Sequence, residues 1–154
     1  MKQPRPAEAS PDADPYNLQR FVTAQEPIFA SAVEELRKGR KRSHWMWFVF
    51  PQLRGLGSSL AARFYGIGTL DEARAYLAHA VLAPRLRLCT EVVLAIETSS
   101  LNAIFGSPDD LKFCSSMTLF AVAADDQSEP FRLVLDRFCG GRLDDRTLAL
   151  LGLE

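Results

Sequence analysis

SPDDLKFCSSMTLFAVAAD, residues 107–125, is the stretch on which the fold turns. Between Asp110 and Asp125 the only charge is Lys112, and small or apolar residues occupy every face of a helix drawn through it. A helix that is apolar all round must be covered on all sides, so this one reads as the buried centre of a helical domain. Ser107, Pro108, Asp109 and Asp110 supply a cap, a first-turn proline and negative charge at the positive end of the helix dipole. Lys112 breaks that pattern, because the dipole disfavours a cation there. It asks for a partner in Asp109, another acid or a bound anion, unless its long stem carries the ammonium out to solvent.

Outward from this stretch, the flanking segments read as amphipathic helices that wrap it. Leu18, Val22, Gln25, Phe29, Ala32 and Leu36 recur in steps of four and three behind Asp14-Pro15, a cap followed by a helix-opening proline. Pro27 removes an amide donor, so this helix kinks or divides beside Gln25, the one polar member of the stripe, and Gly39 ends it. Gln25 then either answers the carbonyl freed by the proline or faces a cavity. Thr69-Leu70-Asp71-Glu72 is a capping box opening a helix to about His79, a residue suited as a cation to a helix end. Leu82, Leu86, Cys89, Val93 and Ile96 form a second stripe. Ser128 opens a helix through Phe138 that Gly140-Gly141 stops, and Asp144 starts a short last one ending before Gly152. No neighbouring runs alternate, and no Asn-Gly or Asp-Gly hairpin dipeptide occurs. The expectation is an all-α fold: a compact multihelical single domain over residues 14–154 with a buried central helix, behind a proline-rich disordered tail over residues 1–13.

Composition narrows the function classes. The net charge of −1 over 154 residues lacks the basic excess of a general nucleic-acid binder. The longest wholly apolar runs, Trp45–Phe50 and Leu119–Ala124, are six residues, against about 20 for a membrane span. No apolar signal segment opens the chain, and the expected location is the cytoplasm. Cys89, Cys114 and Cys139 stand at equal steps of 25 with no C-x-x-C. They read as reduced, small core residues, with neither a metal site nor a disulfide framework expected. No cofactor motif occurs: Arg54-Gly55-Leu56-Gly57-Ser58-Ser59, whose Ser58 can cap the next helix, could present free amides to a phosphate but lacks the nucleotide fingerprints and reads rather as a plain turn.

Chemistry concentrates in residues 39–52, GRKRSHWMWFVFPQ. Cations at 37, 38, 40, 41 and 42 stand before both tryptophans. Positive charge fixes an anionic group and aromatic faces stack a flat ring, although the same residues also suit a hydrophobic plug behind a solvated basic turn. The candidate ligand-binding residues are Gln25, Lys41, Ser43, His44, Trp45, Trp47, Gln52 and Lys112, with His44 the candidate acid or base. Trp45 and Trp47 lie about 200° apart on a helix, so one should anchor the core and the other lie nearer a pocket.

SHWMWFVFPQLRGLG at 43–57, with IFGSPDDLKFCSSMTLF at 104–120, resembles an uncharacterised, mainly bacterial family catalogued as a domain of unknown function and sometimes labelled calpastatin. The resemblance spans roughly residues 14–152 and implies a compact, mostly helical domain with no established activity, cofactor or catalytic residue. Its motif positions fall on Lys41, Ser43, His44, Trp45, Trp47, Pro51, Gln52, Gly55, Gly57, Asp109, Lys112 and Ser115. Where the family often shows AHPVLG, this chain has Ala78–Ala83, AHAVLA. The calpastatin label does not suit it, since those inhibitors are long, disordered and repeated. Three readings follow: a cytoplasmic domain binding a small anionic ligand, nucleotides among the candidates; a non-catalytic protein-interaction module; and, third, a nucleic-acid binder. Oligomeric state is not legible.

Overall fold

The longest helix is the one that carries no charge after Lys112, and its neighbours are arranged to cover it. The structure, a computed structural model, describes residues 13–98, 100–125 and 128–153. Ten helices run through these residues: α1 Gln19–Gln25, α2 Phe29–Arg37, α3 Met46–Val49, α4 Leu60–Phe64, α5 Leu70–Ala78, α6 Leu82–Ala95, α7 Leu101–Phe105, α8 Asp109–Ala124, α9 Phe131–Phe138 and α10 Asp145–Leu151. Among the described residues the only β-pairing is one parallel bridge, Leu53 to Ile67, so the fold is all-α. None of these helices is long and apolar enough to cross a membrane. The tail expected over residues 1–13 lies, except for Ala13, outside the described residues.

Helix α8 packs against α5 and α9, with α7 at its start and α10 at its side, while α6 forms a second layer against α2, α5 and α9. Phe113, Met117, Leu119 and Phe120 have no exposed surface. Aromatic contacts tie the layers together: Phe113 meets Phe50 edge-on and stacks with Phe105, each at 4.9 Å, and Phe120 reaches Tyr76 at 5.2 Å and Phe131 at 5.9 Å. Such pairs add about 0.5–1.5 kcal/mol beyond area burial. The hydroxyls of Ser115 and Thr118 are tolerated because they bond back to the carbonyls of Leu111 and Cys114.

Pro27 divides the first stripe into α1 and α2, and Gly39 at φ 78° closes α2. Thr69 caps α5 through the Glu72 amide, and Asp144 caps α10 through the Thr147 amide. Several boundaries differ from expectation. Asp14 does cap, but Asn17 takes a positive φ of 52° and α1 begins only at Gln19. Ser59, rather than Ser58, caps α4. At the start of α8 the carbonyls of Gly106 and Pro108 take the first amides, so Ser107 is not the cap. His79 caps the next helix: its Nδ1 accepts the amides of Val81 and Leu82 at the α5–α6 junction.

The cysteine expectation is corrected. Cys114 on α8 and Cys139 behind α9 form a disulfide with their Cα atoms 6.0 Å apart, and only Cys89 is a free, buried thiol. Equal spacing says nothing of this, because bridging depends on Cα separation in the folded chain.

Arg20 and Glu72 form a buried ion pair at 2.7 Å between α1 and α5. The guanidinium also donates to the carbonyls of Tyr16, Asn17, Phe64 and Gly66, and the second carboxylate oxygen of Glu72 accepts the Gly68 amide. The fork is thereby fully used. Arg20→Met should leave Glu72 buried without its cation and cost about 3–5 kcal/mol in urea unfolding, whereas an exposed arginine would lose under about 1 kcal/mol.

Candidate functional site

The basic–aromatic block is held by one acid. The Glu35 carboxylate on α2 accepts the amides of Arg42 and Ser43, the Ser43 hydroxyl at 2.6 Å and the Trp45 indole N–H at 3.0 Å. Burial pushes this carboxyl up, but the Ser43 hydroxyl, the two amides and the indole outweigh it and bring it from 4.5 down to about 2. Ser43 is therefore bonded into the scaffold. Trp45, 1% exposed, faces the core. Gln25 belongs to the scaffold too: its amide donates to the Phe48 carbonyl at 2.6 Å and to Tyr76 at 3.3 Å, and its oxygen accepts from Arg85. It answers a carbonyl of α3, neither the one freed by Pro27 nor a cavity.

Lys41 is nearly buried. Its ammonium lies 3.0 Å from Asp109 Oδ2 and 5.3 Å from the centre of the Trp45 ring, while its amide donates to the Ile104 carbonyl. Lys112, one turn into α8, stands farther from the same carboxylate, 3.7 Å from Oδ1, and 5.7 Å from the centre of the Trp47 ring. Two lysines thus share one acid, and Lys41 holds it more closely.

Lys112 opens onto a cleft of about 240 Å³ together with Gln52, Ser115 and Arg146, between the apolar walls of Leu56 and Leu111. Asp144 also lines it, with Oδ2 already taken by the amide and hydroxyl of Thr147. Trp47, half-buried, meets Gln52 again in a small adjoining recess with Tyr65. Gly57 matters to this geometry, since a Cβ there would stand 2.9 Å from that of Ala62 and 3.6 Å from Gln52 Nε2.

Of the eight candidate residues, Lys112, Gln52 and Trp47 come together at the cleft and its recess. Gln25, Lys41, Ser43 and Trp45 form its support. His44 is exposed, lines none of the clefts described here and makes no hydrogen bond among the described residues, so it does not join the cleft as an acid or base. Arg146 and Glu35 escaped the sequence reading: Arg146 lies in a short terminal helix, and Glu35 is one of two adjacent acids on a helix that shows no outward mark.

With this geometry in view, similarity to known proteins places the chain. Residues 15–151 match the family described as protein of unknown function (DUF1810), and the chain belongs to that family. It is similar to the crystal structure of the conserved hypothetical protein Rv1873 from Mycobacterium tuberculosis: 58% identity over 92% of this chain and 100% of that one, with a TM-score of 0.88. No curated protein matches it.

Because Glu35 titrates lower folded than unfolded, its contribution to stability is complete above about pH 4.5 and fades as the pH falls toward 2. Urea midpoints measured from pH 6 to 2.5 should fall more steeply for the wild type than for Glu35→Gln. Parallel curves would show that the carboxylate does not hold the loop.

Proposed function

We propose that this domain binds a small anionic ligand, a carboxylate or phosphate on a compact skeleton, in the cleft of Lys112, Gln52, Ser115 and Arg146. One observation carries the reading: Lys41 sits 3.0 Å from Asp109 and Lys112 3.7 Å, so the cleft-lining ammonium is the less satisfied of the two. Arg146 adds a second cation, Gln52 supplies a neutral donor, and the ring of Trp47 lies under the Lys112 charge. The volume of about 240 Å³ lies below the roughly 300–1,000 Å³ of drug-sized sites, which favours a ligand smaller than a whole nucleotide. The reading assigns no catalytic base.

Exposed Leu60 and Phe64 on α4, 82% and 53% accessible, favour a second reading as a protein-interaction module. Nucleic acid ranks below both, on the net charge of −1.

Thermal-shift measurements with inorganic phosphate, small phosphomonoesters and dicarboxylates test the first reading. A ligand at 100 times its Kd adds about 2.7 kcal/mol to the folded state. Lys112→Met should keep apo stability within about 1 kcal/mol, since Asp109 retains Lys41, and should abolish the ligand-induced shift. A variant unstable without ligand and still stabilised by it would reverse the assignment.

A further inference from the structure

The Cys114–Cys139 disulfide has a use beyond stapling. Both cysteines are half-buried and line a second cleft, of about 550 Å³, open enough for a small thiol to reach them. This cleft and the anion cleft share Leu111 and Asp144. Cys139 ends α9 and is followed by Gly140 and Gly141, at φ 70° and 71°, a pair of left-handed positions that glycine occupies freely. The strap 140–144 then delivers Asp144 and, as the second residue of α10, Arg146.

Apart from the disulfide, this end of the chain is lightly held. The Asp144 amide donates to Thr118 Oγ1 at 2.9 Å, and Arg146 reaches the Leu56 carbonyl at 3.5 Å. Within α10 only Thr147 is buried; Leu143, ahead of the helix, and Leu151 pack half-buried against the core, and Leu150 and, beyond the helix, Leu153 are 53% and 49% exposed. Segments with so few buried contacts open at low free energy.

We propose that Cys114–Cys139 is a reversible redox latch that fastens the strap and α10 to α8, and that its reduction by a small dithiol frees them and removes Asp144 and Arg146 from the wall of the anion cleft. Only that last consequence rests on the anion-binding reading. A thiolate of the dithiol attacks one sulfur, the S–S bond breaks, and the displaced cysteine thiolate takes a proton from water. The reagent's second thiol then attacks the mixed disulfide, gives up its own proton and leaves as a cyclic disulfide, releasing the other cysteine as a thiol. Two electrons and two protons pass from dithiol to protein. Cys89 takes no part, since it is fully buried and burial pushes its thiol up to about 12.

Amide exchange of the full chain, oxidised against treated with dithiothreitol and alkylated, tests the latch. Exchange across 140–151 should quicken about tenfold or more on reduction, with α5, α6 and the middle of α8 unchanged, and Cys114→Ser/Cys139→Ser should reproduce the reduced pattern. Inorganic phosphate, titrated in parallel, should bind the oxidised form more tightly. A disulfide that resists millimolar dithiol in the folded protein, an unchanged strap, or loosening spread equally through α5 and α6 would overturn the latch. If neither state binds phosphate, the anion-binding reading fails while the exchange data still decide the latch.

Discussion

Asp109 is one carboxylate with two lysines in reach, and the site depends on how it is divided. Lys41 comes closer and is the more deeply buried, its side chain 8% exposed against 28% for Lys112. A nearly buried ammonium costs heavily without a counter-charge, which gives Lys41 the stronger claim. Its own backbone is tied to Ile104, so the acid also fixes where the basic loop meets the start of α8. Lys112 is left nearer solvent, at the dipole end that disfavours it.

The residues that follow Lys41 are held by Glu35, whose carboxylate gathers two amides, a hydroxyl and the Trp45 indole. With Lys41 and the residues after it anchored, Trp45 drops into the core while Trp47, two residues on, stays half-buried beside Gln52. The conspicuous block is therefore mostly scaffold, and its work is to present Trp47 and Gln52 to a cleft whose charge comes from α8 and α10.

Local rules made much of the fold legible. The chargeless run announced α8, Pro27 divided α1 from α2, and Thr69 and Asp144 capped the helices they precede. Where boundaries slipped, competing partners decided: Ser59 over Ser58, and backbone carbonyls over Ser107. Helix α7, capped by Ser100, is five residues long, too short to show a period. The disulfide and the Arg20–Glu72 pair join residues 25 and 52 positions apart, and no local pattern encodes such distances. The site was legible only by residue type. Cations, aromatics and amides suit a ligand and a polar-lined core equally, so Gln25, Ser43 and Trp45 could not be told from Gln52 and Trp47 until their partners were known.

The division of Asp109 is open to a double-mutant cycle, with stability in urea read for Lys41→Met, Lys112→Met, Asp109→Asn and the two pairs. The predicted coupling is about 1.5–3 kcal/mol for Lys41 with Asp109 and under about 1 kcal/mol for Lys112 with Asp109. Equal couplings, or a larger one for Lys112, would contradict the account, because Asp109 would then neutralise the cation on which the proposed anion binding rests.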